Sequence, residues 1–232
     1  NGQKPKICAK DEFCVQILSS KGGGNSGSGG CMAVHVVDGI ICVAHADKTI
    51  NLWSLRTCQF VRSLKGHKGV VRALTAHTPR NFLASGSDDR DVRLWSLPDY
   101  KPAFILVGHK GAVTSLEIIT SDELLVSASE DKTIRLWDLK HGGAPFKSLY
   151  NAHAGGILAL KRIDAPTDPR LQQPQFNFVS GGRDRILKMW NHSTESDVKK
   201  CCRILESSPH YDAVTALCSP PSSIGSFAFF SA

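Results

Sequence analysis

A histidine, a serine and an aspartate together can make a nucleophilic hydrolase, and this chain carries that set three times. His67, Ser85 and Asp89 form the first set, His109, Ser127 and Asp131 the second, and His153, Ser180 and Asp184 the third. In such a site the imidazole takes the hydroxyl proton and the carboxylate orients the imidazole, once per enzyme, in a cleft beside donors placed for the oxyanion. Threefold repetition instead argues that the trio holds structure. No Gly-x-Ser-x-Gly turn and no Gly-rich loop ending in Lys-Ser/Thr occurs, so neither a strained nucleophile nor a phosphate cradle is read. The run "KGGGNSGSGG", Lys21 to Gly30, has the composition of a flexible linker.

Each trio is embedded in a longer pattern. The four tryptophans, Trp53, Trp95, Trp137 and Trp190, each follow an aspartate by six residues: Asp47, Asp89, Asp131 and Asp184. Ser85, Ser127 and Ser180 stand ten residues before the last three tryptophans. Between aspartate and tryptophan lie "KTINL", "RDVRL", "KTIRL" and "RILKM", which mostly alternate polar with apolar as a half-buried strand does. Upstream come "GHKGVVRAL", "GHKGAVTSL", "AHAGGILAL" and "PHYDAVTAL", the last with His210. The histidine precedes its aspartate by 22 residues in two units and by 31 in the third. The extra length of the third falls on "DAPTDPRLQQPQ", whose prolines forbid a regular strand and place it in a loop. Self-similarity at a period of 42 residues, as from Trp95 to Trp137, marks one structural unit per repeat.

Composition narrows the function classes. The 232 residues are 41% hydrophobic, enough for a buried core, yet no apolar run nears the roughly 18 residues of a membrane helix. No membrane association is expected, and no apolar leader is visible at Asn1. Eight cysteines lack Cys-x-x-Cys spacing and several sit in strand-like stretches, as Cys42 does, so reduced structural thiols are expected rather than a metal or redox site. A reducing cytosol or nucleus follows. No cofactor is implied. The moderate net charge of +7 suits either an acidic partner or simply a soluble surface.

The combination of Gly-His, Ser, Asp and Trp at constant offsets resembles the WD-repeat family, over nearly the whole chain after about Cys31. That resemblance implies an all-β fold: a partial β-propeller of four-stranded antiparallel blades, a fragment of a domain that in this family is most often seven-bladed. For one blade the strands from the central channel outward would be "VVRALTA", "FLASGS", "DVRLWSL" and "AFILVGH". The blades would span about 31–64, 69–107, 112–150 and 156–206, with part of a fifth at 212–232. Residues 1–30 would hold the end of a preceding blade, "FCVQILSS", and the Gly/Ser-rich insertion. The resemblance further implies that Asp89 accepts from His67, that Ser85 holds His67 and that Ser85 meets the Trp95 indole, with counterparts in the other units. The first unit departs from the pattern, with Val43 in the serine position and no Gly-His ahead of it, so its polar network is expected to be incomplete.

A WD-repeat propeller is expected to act as a non-catalytic protein-interaction scaffold, its partner selected by surface loops. The Gly-His loops and the Asp turns should share one face, and there Lys48, Lys65, Lys68, Arg90, Lys110, Lys132, Arg183 and Arg185 outnumber the acids Asp88, Asp91 and Glu130. An acidic protein segment is the partner type this suggests; the alternative reading is that Lys and Arg in these tight turns simply stay hydrated. Nucleic acid is disfavoured because no aromatic residues interleave with the cations as a stacking platform. Two narrower resemblances refine this. "GGRDRILKMWNH", "PHYDAVTAL" and "DEFCVQILSSKGG" resemble parts of the WD-repeat tail of kinesin-like motors, which implies a cytoplasmic, cytoskeletal setting and acidic tubulin tails as partner. Alternatively, Trp137-Asp138-Leu139-Lys140 resembles the docking box of substrate receptors for cullin-type ubiquitin ligases.

Overall fold

The computed structural model describes residues 30–119, 122–163, 176–191, 202–204, 212–218 and 230–231. Among the described residues eighteen strands form five antiparallel sheets, each built from consecutive strands joined in chain order. The first sheet contains β1 (Cys31–Val37), β2 (Ile40–His45), β3 (Ile50–Ser54) and β4 (Phe60–Leu64). The second contains β5 (Val71–His77), β6 (Phe82–Ser87), β7 (Val92–Ser96) and β8 (Lys101–Leu106). The third contains β9 (Val113–Ile119), β10 (Leu124–Ser129), β11 (Ile134–Asp138) and β12 (Ala144–Leu149). The fourth contains β13 (Ile157–Arg162), β14 (Phe178–Gly182), β15 (Leu187–Trp190) and β16 (Cys202–Ile204), and β17 (Leu217–Cys218) pairs with β18 (Phe230–Ser231) in the fifth. There is no α-helix among the described residues. The segments "FCVQILSS" and "DAPTDPRLQQPQ" and His210 lie outside the described residues.

Strands this short cannot hold a sheet alone, so each sheet must bury its faces on its neighbours. The first strands of successive sheets, β1, β5, β9, β13 and β17, pack side by side in that order and place the inner edge of every sheet together. Three apolar clusters fill the gaps: Leu52 with Leu74 and Trp95, Leu94 with Leu116 and Trp137, and Leu136 with Leu160 and Trp190. Each cluster spans two sheets, with the tryptophan of one lying on the third strand of the sheet before it. Cys42 is wholly buried in the first cluster, and burial pushes its thiol up to about 12. Cys31, Cys42, Cys58 and Cys218 are free thiols.

Between second and third strands the chain reverses in a tight turn, in which Arg90 N–H donates to Ser87 O at 3.1 Å and Arg90 takes φ +75°. Lys48, Lys132 and Arg185 repeat that geometry at φ +73°, +69° and +65°. A left-handed residue closing such a turn keeps the strands in register, although a side chain there costs about 1 kcal/mol more than glycine. The turn lies directly on the loop entering its sheet. A Cβ on Gly69 would come within 2.5 Å of the Asp89 backbone N, and one on Gly111 within 2.8 Å of Asp131 N, so the second glycine of Gly-His-Lys-Gly is set by close backbone approach. Gly69→Ala or Gly111→Ala should therefore destabilise the fold by about 1–3 kcal/mol in urea denaturation. Gly30→Ala, which has open space around it, should leave the midpoint unchanged.

Candidate interaction face

The three His-Ser-Asp trios are assembled, each with its tryptophan, into a linear relay. In the second sheet Trp95 Nε1 donates to Ser85 Oγ at 2.8 Å, Ser85 Oγ meets His67 Nε2 at 2.7 Å, and His67 Nδ1 donates to Asp89 Oδ2 at 2.9 Å. The network assigns the imidazole proton to Nδ1, because Nε2 must accept from the serine once the serine oxygen is taken by the indole. The third sheet repeats it with Trp137, Ser127, His109 and Asp131 at 2.9, 2.8 and 2.9 Å. In the fourth, Trp190, Ser180, His153 and Asp184 stand at 2.7, 2.6 and 2.9 Å. Each aspartate also accepts the backbone N–H that follows its histidine, from Lys68 at 2.7 Å, Lys110 at 2.7 Å and Ala154 at 2.9 Å. Ser85, Ser127 and Ser180 are wholly buried with their hydroxyls engaged, so they present no nucleophile to a substrate.

In the first sheet Val43 sits opposite Asn51, as Ser85 sits opposite Arg93, and it offers nothing to the Trp53 indole. Asp47 turns instead to Thr49, accepting from its N–H at 3.0 Å and its hydroxyl at 2.6 Å.

The buried relay shifts its members' acidities. Burial lowers His67 and His153, only partly opposed by their aspartates. Burial disfavours the charge on Asp89, Asp131 and Asp184 as well, but hydrogen bonds from the histidine and the backbone outweigh it and hold all three below the usual carboxylate range.

Because the relay ties each Gly-His loop to the Asp turn of its own sheet, both emerge on one face. All eight cations expected there are exposed: Lys48, Lys65, Lys68, Arg90, Lys110, Lys132, Arg183 and Arg185. Four of them, Lys48, Arg90, Lys132 and Arg185, occupy the same left-handed turn position. The charge balance differs from the sequence expectation in one respect. Arg183 Nη2 donates to Glu130 Oε1 at 3.0 Å, and Asp88 is held by both Nε and Nη2 of Arg72, so two of the three opposing acids are neutralised within the face and Arg183 is already engaged. Arg72 escaped the sequence reading because it lies on an inner strand at the bulge opposite Ser87, where alternation alone does not reveal its direction.

A second feature was also missed. His35, Thr75, Glu117 and Lys161 occupy the same rung of the four inner strands, opposite Cys42, Ala84, Val126 and Val179. Lys161 Nζ donates to Glu117 Oε1 at 3.1 Å, and burial raises the Glu117 carboxyl against the pull of that cation. Burial lowers His35, and so does the charge of Lys161 in the fourth sheet. Aligning the repeats on their serines would have exposed this polar rung, since each residue directly follows the apolar residue paired with the serine position.

Four-stranded meanders stacked through their first strands, with a Trp-Ser-His-Asp relay in three of them, define part of a β-propeller. Residues 58–96 and 100–138 match the family model for "WD domain, G-beta repeat". Each match runs from the outer strand of one sheet to the third strand of the next, so a sequence repeat straddles two blades. Among solved structures the chain is similar to one of U3-55K, at 18% identity and TM-score 0.66, covering 81% of this chain and 54% of that one. It is similar also to the WD40 repeats of RRP9, at 18% identity and TM-score 0.66, covering 81% and 53%. The chain thus spans about half the length of each. No curated protein matches it.

The relay makes stability depend on pH in two stages. Lowered His67 and His153 bind fewer protons folded than unfolded, so their contribution is complete above the ordinary histidine value of 6.5 and is lost as pH falls below it. The three lowered aspartates act likewise below 3.8, while the raised Glu117 opposes this, its contribution fading as pH rises through its value. Circular dichroism melts from neutral pH downward should show the midpoint falling in the histidine range and again in the aspartate range. Ser127→Ala, which orphans the Trp137 indole N–H and a His109 ring nitrogen, should cost about 1–3 kcal/mol per orphaned group in urea unfolding.

Proposed function

We propose that this chain is a protein-interaction platform within a WD40 propeller, and that the face of Gly-His loops and Asp turns receives a partner segment rich in acidic residues. The observation that carries the reading is the state of the cations. Lys48, Lys65, Lys68, Arg90, Lys110, Lys132 and Arg185 are exposed and form no ion pair among the described residues, while the nearby acids Asp88 and Glu130 are bound to arginines. Apart from the Lys48 turn of the first sheet, the loops that carry them are pinned by the buried relay, so little backbone freedom is lost when a partner docks. An electropositive face on a rigid frame favours fast, salt-sensitive capture of an acidic peptide.

The motor-tail reading is one form of this proposal, with tubulin tails as the acidic segment and the cytoplasm as its setting. It rests on "GGRDRILKMWNH" and on stretches that lie mostly outside the described residues. Its own test is cosedimentation with microtubules, abolished when the tubulin tails are trimmed. The ligase-receptor reading uses other residues: Lys140 is exposed and its N–H caps Asp138 at 2.7 Å, and Lys140→Glu would release a copurifying adaptor.

Fluorescence anisotropy with a labelled oligoglutamate peptide tests the acidic-partner reading, of which the motor-tail reading is one form. Lys68→Glu combined with Lys110→Glu should weaken binding about tenfold or more and flatten its salt dependence, since both side chains are exposed while their backbone N–H bonds to the aspartates remain. Unchanged affinity at low salt would refute the acidic-partner reading.

A further inference from the structure

The outermost strands β4, β8, β12 and β16 each pair on one side only, so each presents a free row of backbone N–H and C=O groups along the rim. Such a row is a template for another strand, and proteins blunt it with proline or by keeping the strand short. β8 and β12 carry proline at one register position: Pro102 lies opposite Trp95 and Pro145 opposite Trp137, and both are exposed. β16 is three residues long. β4 has neither device. It runs for five residues, and Phe60 takes the proline position, opposite Trp53. Proline is accommodated on an edge strand where its N–H side faces solvent, so the shared register aims the Phe60 N–H outward. Gln59 agrees with this: its carbonyl points inward, accepting the Ser54 N–H at 2.9 Å, and successive extended residues point their polar groups to opposite sides.

The edge is held in place and charged. Cys58 N–H donates to Ser54 O at 2.8 Å and closes the turn leading into β4, and the Phe60 ring stands edge-on to Trp53 with centroids 5.4 Å apart. Phe60 and Val61 are 43% and 40% exposed. Arg62 beside them and Arg56 in the turn are exposed and form no ion pair among the described residues. No aspartate or glutamate occurs in the sequence between Asp47 and Asp88. That imbalance selects the occupant. A second copy of this edge would bring arginines against arginines, whereas an extended segment bearing carboxylates is attracted along its length. Val34, Val36 and Leu55 are half-exposed elsewhere on the first sheet, outside the cluster that packs it on the second, and the rim at β4 is open whatever they meet.

We propose that the edge of β4 is a strand-addition site for an extended acidic segment of another protein. The segment pairs its backbone along Phe60–Leu64, covers Phe60 and Val61 with apolar side chains, and sets carboxylates against Arg62 and Arg56. Main-chain hydrogen bonds supply the affinity, and the flanking side chains select an acidic strand over a basic one. The site shares no residue with the face of Gly-His loops and Asp turns, so either can fail without the other.

The test uses the 232-residue chain with Lys68→Glu and Lys110→Glu, which weakens the turn face, and a labelled peptide of alternating valine and glutamate. Anisotropy should show saturable binding. The same peptide N-methylated at every residue keeps its charges and loses its backbone donors, and it should bind about tenfold or more weakly. Phe60→Pro copies the residue that β8 and β12 carry in this register, so the chain should stay folded by circular dichroism and lose binding to the same extent. Phe60→Ala keeps the backbone N–H and should cost no more than about threefold. Hydrogen exchange of residues 59–65 should slow when peptide is added, while that of 101–107 should not. Absence of saturable binding, equal affinity for the N-methylated peptide, full binding by a folded Phe60→Pro chain, or unchanged exchange at 59–65 each overturns the proposal. So does protection of 59–65 without peptide that grows with protein concentration, which would make a second copy the occupant.

Discussion

The hydrogen-bonded chain from tryptophan through serine and histidine to aspartate is the constraint on which the other features rest. Every member is polar and three of its four groups are buried, so each must find a partner or destabilise the fold. The only arrangement that satisfies all of them brings a loop from between two sheets onto the turn of the second of those sheets. The tryptophan supplies more than a donor. Its ring fills the gap against the preceding sheet, so one side chain both packs the junction and anchors the polar relay.

From that relay follows the geometry of the exposed face. The aspartate, held by histidine and by the next backbone N–H, lies against a glycine too close for any Cβ, and this sets the turn. Turn closure then demands a left-handed residue, and in four sheets that residue is a lysine or an arginine. A side chain in that conformation points away from the strands into solvent. In the second, third and fourth sheets the cations are therefore presented by the same device that stabilises the sheet, whereas Lys48 of the first sheet takes the same turn position without it. The two arginines that bind acids, Arg72 and Arg183, tune this face by removing opposing charge.

The first sheet shows what happens where the relay is not encoded. Val43 replaces the serine and no Gly-His precedes it, yet the sheet has the same four strands and the same register. Packing of Ile50, Leu52 and Leu64 on the second sheet is sufficient to hold it. The relay is thus not needed to form a meander. Its role is to fix how one sheet's entry loop sits on its turn, which is a matter of order between sheets.

The recurring His, Ser, Asp and Trp positions and the alternating strands between them were legible from local spacing, whereas the relay that joins them and the strand order were implied by the resemblance to the WD-repeat family. Alternation with a period of two puts alternate residues on opposite faces, and a fixed offset from aspartate to tryptophan is the length of one turn and strand. The polar rung of His35, Thr75, Glu117 and Lys161, the capture of Asp88 by Arg72 and of Glu130 by Arg183, and the open face of Val34, Val36 and Leu55 were not legible in that way. Apart from Arg72 with Asp88, which meet within the second sheet across a bulge, each joins residues from different sheets or depends on whether a neighbouring sheet is present. Sequence determined the repeat and its internal wiring, since hydrogen bonds within a unit are set by intervals along the chain. Tertiary structure decided which charges are spent and which faces remain open, because both depend on how separate units are brought together in space.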